Sequence, residues 1–256
     1  MYTETSIEEL RPESGRSVPG VTLISPLQAI QEKISRTIEF FFKEGFMKEK
    51  GPLKGFLLEG PPGTGKTEVI KQVAHQLDRR MGNVFYIFVD GATIATPKWG
   101  DAEKTLKRVF TKVRELQKER EDAKLIILFD DIESLMIARG ESLAKEWHYS
   151  INSVLFHAID SLDSSQIMVC ATTNKPELVD DALRSRLYPI NVPHAPLEDL
   201  AKIVDEILDA SRIEDADKKK IRVLILNELK KLEQPTIRDA QQLTVINCIE
   251  NGVWKV

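Results

Sequence analysis

The sequence predicts an α/β fold: a three-layer sandwich on a parallel sheet, followed by a small C-terminal helical domain. Three observations carry that prediction. Five short apolar runs, at 54–59, 84–89, 125–130, 167–172 and 187–192, alternate with amphipathic helical stripes. Apolar strands separated by helices belong to parallel sheets covered on both faces. The runs stop after Pro193 and Pro196, and residues 197–251 read as helix by periodicity. Between the first run and the first following stripe lies Gly60-Pro61-Pro62-Gly63-Thr64-Gly65-Lys66-Thr67, a glycine-rich turn in the position where a strand hands over to a helix.

Taken in order, residues 1–20 are polar and aperiodic, with Pro12, Gly15, Pro19 and Gly20, and read as a flexible tail or linker. Ordered structure is expected from Ser25-Pro26, with Ser25 as N-cap, proline in the first turn and Gln28 completing a capping box. Leu27, Ile30, Ile34, Ile38, Phe41 and Phe42 form one helical stripe that Gly45 ends. After the first strand, Val69, Val73 and Leu77 make the next stripe. Leu106, Val109, Phe110 and Val113 follow the second strand, and Ile151, Val154, Leu155, Ala158, Ile159 and Leu162 follow the third. Beyond a hinge at 193–196, Leu200, Ile203, Val204 and Ile207 form one apolar face, and Leu224, Ile225, Leu229 and Leu232 another. The expected division is a tail at 1–20, an α/β domain at 21–194 and a helical lid at 195–256.

The segment Gly60–Thr67 satisfies G-x-x-x-x-G-K-[ST], a phosphate-binding loop, and each residue type has a reason. Gly63 and Gly65 reach backbone angles closed to other residues, so successive N–H groups can turn inward around a polyphosphate. Pro61, Pro62 and Thr64 complete the loop. Lys66 supplies a point charge for the β- and γ-phosphates, and the Thr67 hydroxyl suits Mg²⁺. Glu68 stands beside them in the first turn of a helix whose partially positive N-terminus faces the same anion. This pattern predicts binding of a nucleoside triphosphate.

Composition narrows the function classes. The chain has 256 residues, 42% hydrophobic and 30% charged with net charge −4, which suits one large domain or a large and a small one. No apolar run approaches the roughly 18 residues of a membrane span, and the acidic start MYTETSIEEL is unlike a signal peptide. Cys170 and Cys248 lack metal-ligand spacing, and a reducing, cytoplasmic compartment is expected. His75, His148, His157 and His194 are equally scattered. Lys218, Lys219, Lys220 and Arg222 form the densest basic cluster, but Glu214, Asp215 and Asp217 flank it. A solvated helix face is the simpler reading than a DNA contact.

The run Leu125–Phe129 ends in Asp130-Asp131. In phosphate-loop enzymes the first such acid holds Mg²⁺, and the next orients or activates the attacking water. Together with Gly60–Thr67, the segments Leu125–Leu135, Met168–Asn174 and Leu178–Leu187 resemble the AAA+ ATPases in order and spacing, and the likeness runs from about residue 20 to 251. That resemblance implies the sheet order 5-1-4-3-2, a helical lid, ATP with Mg²⁺ bound where lid and sheet meet, and assembly into a ring, a hexamer promoted by ATP. It implies further that Asn174 is a sensor polar residue beside the acidic pair. Arg186, or else Arg184, matches the arginine that reaches a neighbouring subunit's nucleotide, and Arg238 resembles a second sensor arginine. One departure is plain. Most relatives carry Asp-Glu where this chain has Asp130-Asp131, leaving active, slow and binding-only versions of the site open.

Lys98-Trp99-Gly100, after the second strand, resembles the pore loop of AAA proteins that thread polypeptide, shortened by one residue. Trp99 is then the expected polypeptide contact, against the alternative of a tryptophan packed on its own domain. Three functions follow: a protein-remodelling ring ATPase, a clamp-loader-like ATPase associated with DNA, and a weakly hydrolysing structural ring subunit.

Overall fold

A computed structural model describes residues 12–45, 50–94, 101–135, 146–211 and 213–251, apart from the side chains at 101 and 146–149. Six strands form one sheet: β1 (Glu13–Ser14), β2 (Gly55–Glu59), β3 (Val84–Asp90), β4 (Lys124–Asp130), β5 (Ile167–Thr173) and β6 (Leu187–Asn191). Their spatial order is β1-β3-β4-β5-β2-β6, and all pairs but β1–β3 are parallel. Counted among themselves, the five parallel strands have the expected order 5-1-4-3-2.

The difference is β1. Residues 13–17, expected as tail, pair antiparallel with β3 and turn through a 3-10 helix over Gly15–Ser17. Polarity and glycine content suggested a linker, but the polar groups find partners on α2 (Lys66–Met81) and its flanks. The buried Asp78 carboxylate accepts from Ser14 Oγ at 2.8 Å, the Arg16 amide at 3.0 Å and the Val84 amide at 3.0 Å. Gly15 lies so close to α2 that an added Cβ would stand 2.3 Å from the Ala74 carbonyl oxygen. Periodicity cannot register a strap held by hydrogen bonds rather than by an apolar stripe.

α1 (Ser25–Glu44) starts and ends as expected, with Gly45 left-handed at φ +60° as C-cap, but its N-cap is Ile24 and no side-chain capping bond forms. Ser25 is already the first helical residue, because Pro26 sits comfortably within the first turn. α1 and α2 cover one face of the sheet through Ile34, Ile38, Phe41, Val69, Val73 and Leu77. α4 (Asp101–Glu119) and α5 (Glu146–Asp160) cover the other through Leu106, Val109, Phe110, Val113, Ile151 and Leu155. The short α3 (Gly91–Ile94) follows β3, and the short α6 (Asp181–Arg184) precedes β6.

Three helices build the lid: α7 (Leu197–Ala210), α8 (Asp215–Leu229) and α9 (Ile237–Glu250). Their separate core holds Leu200, Val204, Leu208, Ile221, Ile225, Leu229, Ala240 and Cys248. On α8 the buried spacing is 221, 225 and 229; Leu224 points outward, and Leu232 lies beyond the helix end and is exposed. The choice of stripe there needed the partner helices. Among the described residues no helix is long and apolar enough to cross a membrane.

Parallel register brings the C-terminal ends of β2, β4 and β5 to one edge, with Glu59 opposite Thr173 and Phe129 opposite Ala171. Open α/β sheets bind ligands outside such carboxyl ends.

Candidate nucleotide-binding site

At that edge the loop from Gly60 turns into α2. Gly63 at φ +75° and Gly65 at φ +92° adopt the left-handed angles that the pattern required. Gly63 has a second constraint. A Cβ there would meet Thr236 Oγ1 at 2.9 Å and Arg238 Cβ at 3.1 Å, so the lid rests directly on the loop. Thr236 is the N-cap of α9 and forms a reciprocal capping box with Asp239, which presents Arg238 in the first turn toward Gly63.

Two hydrogen-bonded chains run through the site. In the first, Asp130 Oδ1 accepts from both Thr67 Oγ1 and Thr172 Oγ1 at 2.6 Å. In the second, Asn174 Oδ1 accepts from Lys66 Nζ at 2.7 Å, and Asn174 Nδ2 donates to Asp131 Oδ1 at 2.8 Å. Lys66 also donates to the carbonyls of Gly60 at 2.8 Å and Pro61 at 2.7 Å. Burial pulls its ammonium below the ordinary lysine range, while Asp131, Glu133 and Asp130 oppose that shift.

Asp131 holds a left-handed backbone, φ +50° and ψ +53°, which aspartate tolerates better than most residues. Its amide donates to Thr172 Oγ1 at 3.2 Å. Burial raises its carboxyl above the usual aspartate range, and the neighbouring Asp130 and Glu133 add to that. Glu133, in the 3-10 turn Ile132–Ser134, points back toward the site rather than away: its Oε1 accepts the Asn174 amide at 3.0 Å. Its other oxygen, Oε2, is buried and has no hydrogen-bond partner among the described residues.

A cleft of about 420 Å³ connects Lys66, Thr67, Glu68, Asp130, Asp131 and Asn174 to a second end. Val21–Ile24 and Leu27 wall that end on one side, and Ile203, Ile237 and Arg238 of the lid on the other. Of this wall, sequence reasoning singled out Arg238 alone for the nucleotide. Val21–Ile24 come from a strap, Leu27 from α1 and Ile203 and Ile237 from two lid helices, and none of these lies in a motif.

The two arginines before β6 are held within the chain. Arg184 NH2 donates to Glu59 Oε1 at 2.6 Å, one residue before Gly60. Arg186 forms a fork on Asp160, Nε to Oδ1 and NH2 to Oδ2 at 2.7 Å each, and stacks over Phe156 at 4.9 Å. This pairing raises the Arg186 pKa and lowers that of Asp160. Lys98, Trp99 and Gly100 lie outside the described residues.

The family described as "ATPase family associated with various cellular activities (AAA)" matches residues 56–192, from the first parallel strand through the last. The chain belongs to the AAA ATPases. A Corynebacterium efficiens protein named "AAA ATPase forming ring-shaped complexes" is 31% identical over 188 residues, covering 70% of this chain and 35% of that protein. A Parafrankia sp. "Proteasome-associated ATPase" is 29% identical over 192 residues, covering 70% of this chain and 31% of its own length. This AAA chain therefore spans about a third of the length of the curated relatives it matches. Among solved structures, a chain of the Escherichia coli MS115-1 HORMA:CdnC:Trip13 complex superposes with TM-score 0.62 at 14% identity, covering 88% of this chain and 89% of that one. That likeness is one of fold.

ATP is the nucleotide of the AAA family, and the cleft suits it, with a loop and lysine for phosphates at one end and apolar walls at the other. For a divalent ion, the donor set is one hydroxyl and one carboxylate, Thr67 and Asp130, within hydrogen-bond distance of each other. Among the described residues no cluster of three His, Cys, Asp or Glu side chains forms a metal cage. Mg²⁺ in phosphate-transfer sites takes one or two protein oxygens and completes its shell with water and phosphate oxygens, so the set fits.

Proposed function

We propose that this chain is the Mg-ATP-hydrolysing unit of a ring, a hexamer whose association ATP promotes, and that turnover drives remodelling or unfolding of polypeptide. The observation that supports hydrolysis is the continuous path Lys66–Asn174–Asp131 lying beside Thr67–Asp130. Lys66 and Asp131 lie on the two ends of the Asn174 amide, and on this reading the first is the cation for the phosphates and the second the carboxylate for the attacking water. Thr67 and Asp130 would hold Mg²⁺, which when bound neutralises charge on the phosphate oxygens. Asp131 would accept the proton of the attacking water, and Asn174 would orient that water and the terminal phosphate. Arg238, held over Gly63 by the α9 cap, would couple lid position to the nucleotide. A soluble, cytoplasmic setting fits this reading.

Ring formation draws on the printed name of the Corynebacterium efficiens relative, and polypeptide work on the pore-loop pattern at Lys98-Trp99-Gly100. Against the DNA-associated alternative stands the mixed charge of the densest basic cluster, where Lys218 lies beside Asp209 and Asp215, Lys220 beside Asp217 and Arg222 beside Asp205.

Lys66→Ala should weaken ATP binding by about 10- to 100-fold, the worth of losing hydrogen bonds from a charged group, with the fold left intact. Calorimetric titration measures this directly. An ATP affinity equal to the parent's would mean that the phosphates bind elsewhere.

ATPase rate measured with and without an unfolded polypeptide tests the remodelling role. Stimulation is expected in the parent and absent in Trp99→Ala, with basal hydrolysis retained. A Trp99→Ala protein that loses stability instead, by about 3–5 kcal/mol as for a buried aromatic, would place Trp99 in its own domain's core and remove the pore reading.

A further inference from the structure

The strap that opens the chain passes from the sheet edge to the far wall of the cleft, and one buried amide holds it there. Gln72, on α2, is 3% exposed. Its Nε2 donates to the Pro19 carbonyl at 2.8 Å, and its Oε1 accepts the Val21 amide at 3.3 Å. A side-chain amide that takes both a carbonyl and an N–H from one extended segment acts as a short piece of strand ladder. The same Nε2 donates to Glu68 Oε1 at 2.7 Å, in the helical turn that carries Lys66 and Thr67. Gln31 on α1 closes the arrangement by donating to the Gln72 backbone carbonyl at 3.1 Å. Among the described residues, no other hydrogen bond holds the strap between Pro19 and Leu23.

The wall needs such a tether. Val21 is 48% exposed and Thr22 is exposed, so burial does not fix them; the strap enters the core on either side of them, at Val18 and at Leu23 and Ile24. Gln72 lies five residues after Thr67, about 7.5 Å along the helix at 1.5 Å per residue. One rigid element thus grips the polyphosphate at its N-terminus and, less than two turns later, sets the position of the opposite wall.

We propose that Gln72 is a positioning residue for the nucleoside end of the cleft. It fixes the distance between the phosphate loop and the Val21–Ile24 wall, and thereby selects a ligand that carries a nucleoside over one that carries only phosphates. This rests on the nucleotide-site reading given above. Gln72 does not line the cleft and touches no reacting group, so its effect falls on affinity rather than on the chemical step.

The test compares ATP with inorganic tripolyphosphate, which uses only the loop. In Gln72→Leu, which keeps the volume and deletes the amide, the Kd for ATP and for ADP should rise by about tenfold, the worth of a pair of neutral hydrogen bonds. The Kd for tripolyphosphate should stay within about twofold. The KM for ATP should rise in step with the Kd, with kcat at saturation retained. Val21→Pro removes the strap's N–H donor, leaves the buried amide in place and should show the same selective loss, with Val21→Ala, which trims the same wall side chain but keeps the N–H, as the control for the side chain itself. Val21→Pro carries the test if Gln72→Leu does not fold. Equal loss of ATP and tripolyphosphate binding would show that Gln72 acts through the loop, and unchanged ATP affinity in both Gln72→Leu and Val21→Pro would show that the wall needs no tether. Either result overturns the proposal. A parent that binds tripolyphosphate but not ATP would likewise leave no nucleoside for the wall to select and overturn it, whereas a parent that binds neither would sink the nucleotide-site reading itself.

Discussion

Arg186→Ala is expected to lower ATP turnover by about 10³–10⁵-fold, the range for an arginine that stabilises a transferring phosphoryl group, while ATP affinity stays near the parent's. Arg186 follows α6, beside the start of β6, away from the Lys66–Asn174–Asp131 path of its own subunit. In this chain it is forked on Asp160, whose side chain is 51% exposed. Arg186, whose side chain is 25% exposed, also donates to the Ala182 carbonyl at 2.7 Å and stacks on Phe156, so leaving the fork has a cost. The expected loss in turnover corresponds to about 4–7 kcal/mol of transition-state stabilisation, and the shared-site reading takes Asp160 as a resting partner that a neighbouring nucleotide outcompetes. Hydrolysis should then depend on protein concentration, because a lone subunit has an incomplete site. Mixing Arg186→Ala with Lys66→Ala subunits should restore part of the activity, each supplying what the other lacks. Asp160→Ala is the control. If it abolishes turnover as Arg186→Ala does, or if specific activity is flat across the association range, Arg186 serves its own subunit and shared sites are wrong.

Asp131→Asn should slow turnover by about 10²–10⁴-fold, the usual contribution of a general base, with ATP still bound. The amide keeps the size of the side chain and loses the capacity to accept a proton. Asp131 reaches Asn174 although it is one methylene shorter than the glutamate that the AAA+ resemblance leads one to expect there. Its backbone is left-handed, its amide is held by Thr172, and Gly91 packs against the 130–131 carbonyls, where a Cβ would stand 2.6 Å from the Asp131 oxygen. Single-turnover hydrolysis alongside calorimetric ATP binding separates chemistry from affinity. If Asp131→Asn turns over normally and Glu133→Gln does not, the base is Glu133, whose carboxylate already grips the Asn174 amide.

Much of the fold was legible because its signals are local and repeated. Each parallel strand is an apolar run bounded by turns, and each covering helix shows its stripe, as in Val69, Val73 and Leu77, all fully buried. The phosphate loop was legible for a different reason: Gly63, Gly65, Lys66 and Thr67 act through backbone angles, charge and a hydroxyl that are contiguous in the chain. The lid was read correctly as helical, but its inner face on α8 was not, since Leu224 and Ile225 are equally apolar and only the positions of α7 and α9 choose between them.

The amino-acid order was sufficient for the α/β class, the family pattern and the residues at the phosphate end of the cleft. Its other end arose from folding. Asp78 and Gln72 hold a polar strap that no periodicity marks, Thr236 caps α9 so that Arg238 overlies Gly63, and Asn174 joins Lys66 to Asp131 across β5. Apart from the Thr236 cap itself, each of these is a hydrogen bond between residues far apart in the chain. Such bonds depend on distance and direction in space, and residue type alone carries neither.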